Sequence, residues 1–430
     1  MSTRQLSDNP SNDRLTIRSN FLALLTGRFF AALSLWLALI VVAKLSDPTT
    51  VGIYALAQAI CLPMTEIARM GLREVRASDT VGEYEFGDYL GLRLLAIGVA
   101  LAFMIAAGMS VSHSRMVLLV ILFYALTRCL ELFSDMIYGL FQSQERMDYI
   151  ARSLCMLGPL SLVLLSIGFW LTGSLVVAIL GQVLAHISIV LFYDLRVGRQ
   201  RASLEEPASF WPQWNMMSLR KLAVQAMPLT FATALVMIAL YLPRLAVDEF
   251  LGLEALGYFA ALVALAMAPS RLVHALGMAS SVRLAHHHAA GERGPFIILV
   301  AKMAVGAGAI GGAGVLLAAY FGEEILRLAY TEDYASYANI LVWVVAAATI
   351  RFVADVLQFG MIASRRFWWL TFQYGSVALA AVVACYSFIP GQGLEGAALA
   401  VVVIFAVQLT VISIGLLCNL PAAERMEVAV

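Results

Sequence analysis

Apolar residues in this chain gather into runs long enough to cross a bilayer, and polar residues are confined mostly to the gaps. A transmembrane helix needs roughly 20 apolar residues, and that template predicts about twelve spans. They lie near 21–45, 51–72, 90–111, 116–140, 149–171, 174–195, 222–243, 256–278, 296–320, 338–362, 368–388 and 395–418. The predicted fold class is therefore an all-α integral membrane protein. The longest connection, RVGRQRASLEEPASFWPQWNMMSLRK (196–221), separates six spans in 21–195 from six in 222–418, with polar tails at 1–20 and 419–430. Connections on the opposite side run to roughly 16 residues at most, too short to fold a domain of their own. That length counts against a membrane enzyme of glycan assembly, whose chemistry needs structure outside the bilayer.

The two halves read as copies of one another. Asp135 precedes Arg146 by the same distance that separates Asp355 from Arg366, with Gly139 and Gly360 between and Arg128 and Arg351 upstream. Pro63 and Gly71 match Pro269 and Gly277, and Gly52-Ile53-Tyr54 matches Gly257-Tyr258-Phe259. Both copies run in the same sense, which predicts two six-helix lobes related by a pseudo-twofold axis along the membrane normal. A substrate site between the halves is the usual consequence.

Composition agrees with this reading: 61% of the residues are hydrophobic and 13% are charged, where a soluble chain carries about 25% charged residues. The formal net charge is zero, which gives no reason to expect nucleic acid as a partner. Cys61, Cys129, Cys155, Cys385 and Cys418 fall far apart inside apolar runs, as free thiols packed among helices do. The N-terminal stretch MSTRQLSDNPSNDRLTIRSN is polar for too long to be a cleaved signal peptide and reads as a cytoplasmic tail. Lys and Arg fix the orientation. Seventeen of them fall in one set of connections (Arg4, Arg14 and Arg18 at the start, Arg425 at the end), against four in the other (Lys44, Arg115, Arg244, Arg327). By the positive-inside rule both termini face the cytoplasm.

Against this apolar background the intramembrane charges stand out. Arg128, Glu131 and Asp135 fall within about 60° of one another on a helix and make one polar stripe. Each charged residue at a helix centre costs about 2.5–3.5 kcal/mol on insertion scales, so the stripe faces protein or water. Glu66 and Arg69 lie deep in the second span and are spaced to pair, whereas Arg73 and Arg76 read as positive-inside anchors. Arg28 has no charged residue within one helical turn either way and sits about 7 Å to the cytoplasmic side of its span's centre. In the second half Arg351 and Asp355 are an i,i+4 pair and Arg271 and His274 an i,i+3 pair. His186 reads as a packing residue. Together Arg28, Glu66, Arg69, Arg128, Glu131 and Asp135 are expected to line a polar cavity on the cytoplasmic side of midplane. Guanidinium groups bind phosphate oxygens in bidentate fashion and stay charged when dehydrated, so an anionic substrate loaded from the cytoplasm follows.

Other motifs carry less. His286-His287-His288 has no acidic or Cys partner beside it and is not expected to hold a metal. GAGAIGGAG (306–314) follows no strand and reads as close helix packing. There is no Walker motif and no nucleophile–base set, so neither direct ATP use nor enzymatic chemistry is expected.

FLALLTGRFFAALSLWLALIVVAKLSDPTTVGIYALA, the Glu- and Arg-bearing second span and LFQSQERMDYIARS resemble the oligosaccharide (O-antigen type) flippases. That family belongs to the multidrug/oligosaccharidyl-lipid/polysaccharide exporter superfamily. LGYFAAL, EEILRLAYTEDYASYANIL and PGQGLEGAALA extend the resemblance to the second half. It implies a bacterial inner-membrane flippase that moves a polyprenyl-pyrophosphate-linked oligosaccharide to the periplasmic leaflet by alternating access, for cell-surface polysaccharide. Its implied partners are the lipid-linked oligosaccharide, membrane lipids and other glycan-assembly membrane proteins. The resemblance implies pyrophosphate contacts at Arg28 and Arg128; Arg69, Arg271 and Arg351 are further cavity candidates. No bound cofactor is implied; coupling to H+ or Na+ would fall to Glu66, Glu131, Asp135 or Asp355. The alternative is a cation-coupled multidrug or small-molecule antiporter of the same superfamily.

Overall fold

The computed structural model describes residues 17–78, 84–111, 114–205, 210–364 and 366–420. The tail segments 1–16 and 421–430, with Arg4, Arg14 and Arg425, and also Arg365 lie outside the described residues. Among the described residues every regular element is helical. In chain order they are α1 (Ile17–Leu45), α2 (Pro48–Arg69), α3 (Leu72–Ser78), α4 (Phe86–Val111), α5 (Arg115–Ser143), α6 (Met147–Thr172) and α7 (Leu175–Ile189). A π-turn (Val190–Asp194) leads into α8 (Leu195–Glu205), followed by α9 (Met216–Met267), α10 (Ser270–Ala289) and α11 (Arg293–Ala329). The last are α12 (Glu332–Ala335), α13 (Ala338–Ala363) and α14 (Phe367–Cys418).

Local chemistry sets the boundaries. Between α1 and α2, Asp47 accepts a hydrogen bond from the Thr50 backbone N–H at 3.3 Å and Pro48 occupies the first helical position. A carboxylate acceptor and a residue without an N–H both suit a helix start, where backbone donors have no intrahelical partner. Gly173, in the left-handed region, ends α6 with its N–H donating to the Phe169 carbonyl at 2.7 Å. Ten helices among the described residues are long and apolar enough to cross a membrane. Two of these stretches, Met216–Ala289 (74 residues) and Trp368–Cys418 (51 residues), exceed a single crossing. Each contains a glycine with left-handed φ, Gly252 and Gly393. Counting each stretch as two crossings gives the twelve predicted from hydropathy.

Two compact units divide the chain. Unit 1 comprises Met1–Val41 and Ile60–Phe231; unit 2 comprises Val42–Ala59 and Ala232–Val430. In unit 1 the buried side chains of Leu72, Phe86, Tyr89, Met136, Leu140 and Leu222 form an apolar core between α3, α4, α5 and the start of α9. In unit 2 the start of α2 packs on the second part of α9 through the matched glycines of the internal repeat. A Cβ on Gly52 would lie 1.8 Å from the Leu253 carbonyl oxygen, and one on Gly257 would lie 1.9 Å from that of Pro48. Each glycine meets the carbonyl four residues before its counterpart, so the contact is reciprocal. Side chains at either position would drive the backbones apart, which explains why residues 42–59 belong to unit 2.

Candidate functional site

The charged stripe of α5 faces α2, α3 and α4 within unit 1. Arg69, at the end of α2, reaches Glu66 at 3.1 Å and Glu131 at 3.0 Å, with its Nε 3.9 Å from Asp135. Met70 and Gly71, with φ of 50° and 59°, then break the chain direction. The break starts α3 and brings Arg73 to 3.6 Å from Asp135, with its Nε donating to Gln142 at 2.7 Å. From α4, Arg93 donates to Asp135 at 3.1 Å and to the Ala68 carbonyl at 2.9 Å. Arg128 lies 2.5 Å from Glu131 and over the Tyr124 ring at 5.0 Å. Among the described residues four guanidinium groups and three carboxylates thus form one connected network of ion pairs.

The network has a sealed base and an open rim. Arg93 is 0% exposed, whereas the side chains of Glu66, Arg69 and Glu131 are 32%, 27% and 32% exposed. An anion could therefore reach Arg69 at the rim without dismantling the Arg93–Asp135 pair, while Arg128, 11% exposed, lies behind Glu131.

The prediction and the structure differ at two places here. Arg73, read as a surface anchor, is buried and faces Asp135. Arg93 was missed, although it carries the same signal as its partners, a charge inside an apolar run. Arg28, the candidate placed deep in the first span, is exposed on α1, as are Leu25, Phe29 and Phe30. A further buried carboxylate also escaped sequence reasoning. Asp194 closes the π-turn and accepts from Ser134 at 2.6 Å and Ser153 at 2.7 Å, and Tyr138 is hydrogen-bonded to Ser153. Among the described residues no cation pairs with it. His186, as predicted, is buried and bonded within its helix, to Gln182 at 2.8 Å.

Unit 2 places the matched pair differently. Arg351 lies 3.4 Å from Asp355, which also accepts from Gln408 at 3.1 Å, and the guanidinium sits over the Phe405 ring. These residues line a cavity of about 300 Å³ together with Gln358, Gln373, Tyr374 and His274. Gly277 shapes one wall: a Cβ there would fall 2.1 Å from the Phe359 ring, which packs against His274. Arg271 is exposed one turn before His274 on α10. The triple histidine also needs a correction, because the turn after α10 returns Glu292 to within 2.5 Å of His287 Nδ1. The acidic neighbour missing from the sequence reading is present.

Among the described residues the regular elements are all helices, ten stretches are long and apolar enough to cross a membrane, and charges and a polar cavity lie among them, which defines a multi-pass helical membrane protein. The sequence matches the family described as Polysaccharide biosynthesis protein over residues 17–282, and the chain belongs to that family. It is 23% identical over 389 residues to the capsular polysaccharide biosynthesis protein CapF of Staphylococcus aureus, covering 89% of this chain and 95% of CapF. Its fold resembles the lipid II flippase MurJ in an inward closed conformation, with a TM-score of 0.72 and 10% identity, covering 91% of this chain and 87% of MurJ. A MOP superfamily transporter from Pyrococcus furiosus gives a TM-score of 0.57 and 14% identity, covering 93% of each chain. The fold is that of the MOP transporters.

Proposed function

We propose that this protein is a flippase that carries a polyprenyl-pyrophosphate-linked oligosaccharide from the cytoplasmic to the periplasmic leaflet of a bacterial inner membrane, by alternating access. Both termini face the cytoplasm in this reading. The observation that carries it is the arginine-rich network of unit 1, whose partly open rim offers Arg69, with Arg128 behind it on Glu131. A dianionic or trianionic pyrophosphate matches such a rim in charge and in the fork geometry of guanidinium. Arg28 in unit 1, and Arg271 and Arg351 in unit 2, are further candidate contacts. Family membership supports a polysaccharide precursor as cargo.

Ion coupling would fall on Glu66, Glu131, Asp135 or Asp355. Asp135 already serves three arginines and Glu131 two, whereas Glu66 and Asp355 each pair with one. The last two therefore have the most capacity for an exchangeable H+ or Na+. A cation-coupled small-molecule antiporter is the alternative, but among the described residues the arginines of the unit 1 network outnumber the carboxylates they pair with, which disfavours a cationic cargo.

The test is deletion of the gene followed by leaflet-specific quantification of lipid-linked oligosaccharide. Accumulation in the cytoplasmic leaflet, reversed by the wild type and not by Arg128→Ala, is expected. An unchanged leaflet distribution would sink the proposal. Orientation is tested separately: a cysteine at Ser218 should resist an impermeant thiol reagent in intact cells, and one at Asp248 should react. The opposite pattern would reverse the topology.

A further inference from the structure

The cavity of unit 2 contains a group that the charge network does not explain. Gln373, in the first part of α14, has no solvent exposure, and neither its Oε1 nor its Nε2 has a hydrogen-bond partner. Buried side-chain amides are ordinarily satisfied, so one left open on a cavity wall is available to a ligand that enters the cavity. That ligand must donate to Oε1 and accept from Nε2. A hydroxyl group does both, whereas an ammonium group cannot accept and a fully ionised phosphate ester cannot donate.

The rest of the lining narrows the ligand further. Arg351 and Asp355 offset each other in formal charge, so the cavity has no strong preference for an ion of either sign. Gln358 donates to the Tyr374 hydroxyl at 2.6 Å, and Gln408 donates to Asp355, which leaves further acceptor and donor capacity on the same wall. Phe359 and Phe405 supply apolar faces. Arg351 and Asp355 are 25% and 35% exposed, so the cavity is not sealed. About 300 Å³ is at the lower end of the range for small-ligand pockets. Hydroxyls at the edge and an apolar face are the surface chemistry of a neutral pyranose ring.

Resting on the flippase reading, we propose that this cavity binds one neutral sugar unit, with Gln373 as its central hydrogen-bonding group.

The test uses full-length protein in detergent and saturation-transfer NMR with methyl α-glucopyranoside and N-acetylglucosamine. Inorganic pyrophosphate and tetramethylammonium are the charged competitors, and undecaprenyl pyrophosphate is the sugar-free lipid arm. The wild type should bind at least one sugar, and none of the three other compounds should displace it. Gln373→Leu should bind it roughly tenfold more weakly, as expected for a lost buried hydrogen bond. Trp170→Phe, on the exposed outer face of α6, should bind like the wild type. Because Gln373→Leu removes an unpaired buried amide, it should melt no lower than the wild type without ligand. Should it fail to fold, Tyr374→Phe, which removes only a hydroxyl from the wall, replaces it and should also weaken binding. A cavity that binds neither sugar, binds both equally well after substitution, or releases sugar to one of the other three compounds overturns the assignment. The two readings fail separately. Sugar binding that depends on Gln373, without leaflet accumulation in the deletion strain, removes the flippase and keeps the sugar site. Accumulation rescued equally by wild type and Gln373→Leu, with no sugar bound, removes the sugar site and keeps the flippase.

Discussion

Unit 1 and unit 2 begin from matched sequence patterns and reach different chemistry. In each, an arginine and an aspartate lie on one face of a membrane helix, Arg128 with Asp135 and Arg351 with Asp355. In unit 1 the neighbouring helices contribute Arg69, Arg73 and Arg93, and the aspartate becomes the hub of a charged network. In unit 2 the neighbours contribute Gln373 and Gln408, and the aspartate remains in a single ion pair beside an amide-lined cavity. Matched positions therefore do not carry matched roles. The surrounding helices decide whether an intramembrane carboxylate joins a charge cluster or lines a polar pocket.

The largest contrast should be in stability. Arg93→Met strips Asp135 of its fully buried partner, and breaking a buried pair costs about 3–5 kcal/mol. The variant should melt far below the wild type in detergent or fail to reach the membrane. Asp355→Asn breaks a pair that is a quarter to a third exposed, where ion pairs contribute about 0–1 kcal/mol. Equal destabilisation by the two substitutions would erase the distinction drawn between the units.

Cargo binding provides the next test. Arg69→Ala and Arg128→Ala each remove a charge-assisted contact worth about 1.5–3 kcal/mol, so binding of undecaprenyl pyrophosphate should fall roughly 10- to 150-fold. Arg128→Lys should keep part of that affinity, because an ammonium retains the charge and loses the fork. Arg351→Ala should change pyrophosphate binding far less. A larger loss from Arg351→Ala would place the pyrophosphate in unit 2.

Arg28 sharpens the boundary of unit 1. Arg28→Ala should abolish transport in cells without lowering the amount of protein in the membrane, since the side chain is exposed rather than packed in the core. Normal transport by this variant would confine the cargo site to the α2–α5 network. The smallest effect concerns coupling. Asp355→Asn should weaken the dependence of transport on an ion gradient while leaving transport itself measurable, and Asp135→Asn should not do so without unfolding. Unaltered gradient dependence in the Asp355 variant would make that aspartate a structural partner of Arg351.

The sequence alone specified the helices, because a bilayer imposes a length and an apolarity that can be counted along the chain. It also specified that Arg128, Glu131 and Asp135 share a face, since helical periodicity fixes that relation within one segment. The matched Gly52 and Gly257 were visible as well, although their reciprocal backbone contact was not. Tertiary structure decided which helices meet. Arg93 and Asp135 are 42 residues apart, and nothing in their spacing says that α4 presents one to the other. Arg73 read as an anchor because an arginine near a span's end usually snorkels; the left-handed turn at Met70 and Gly71 aimed it inward instead. Gln373 gave no signal, because an uncharged amide inside an apolar run looks the same whether its partners are present or absent. Periodicity acts within a helix. The pairing of charges and the satisfaction of amides depend on distances between helices, and only the packed chain sets those.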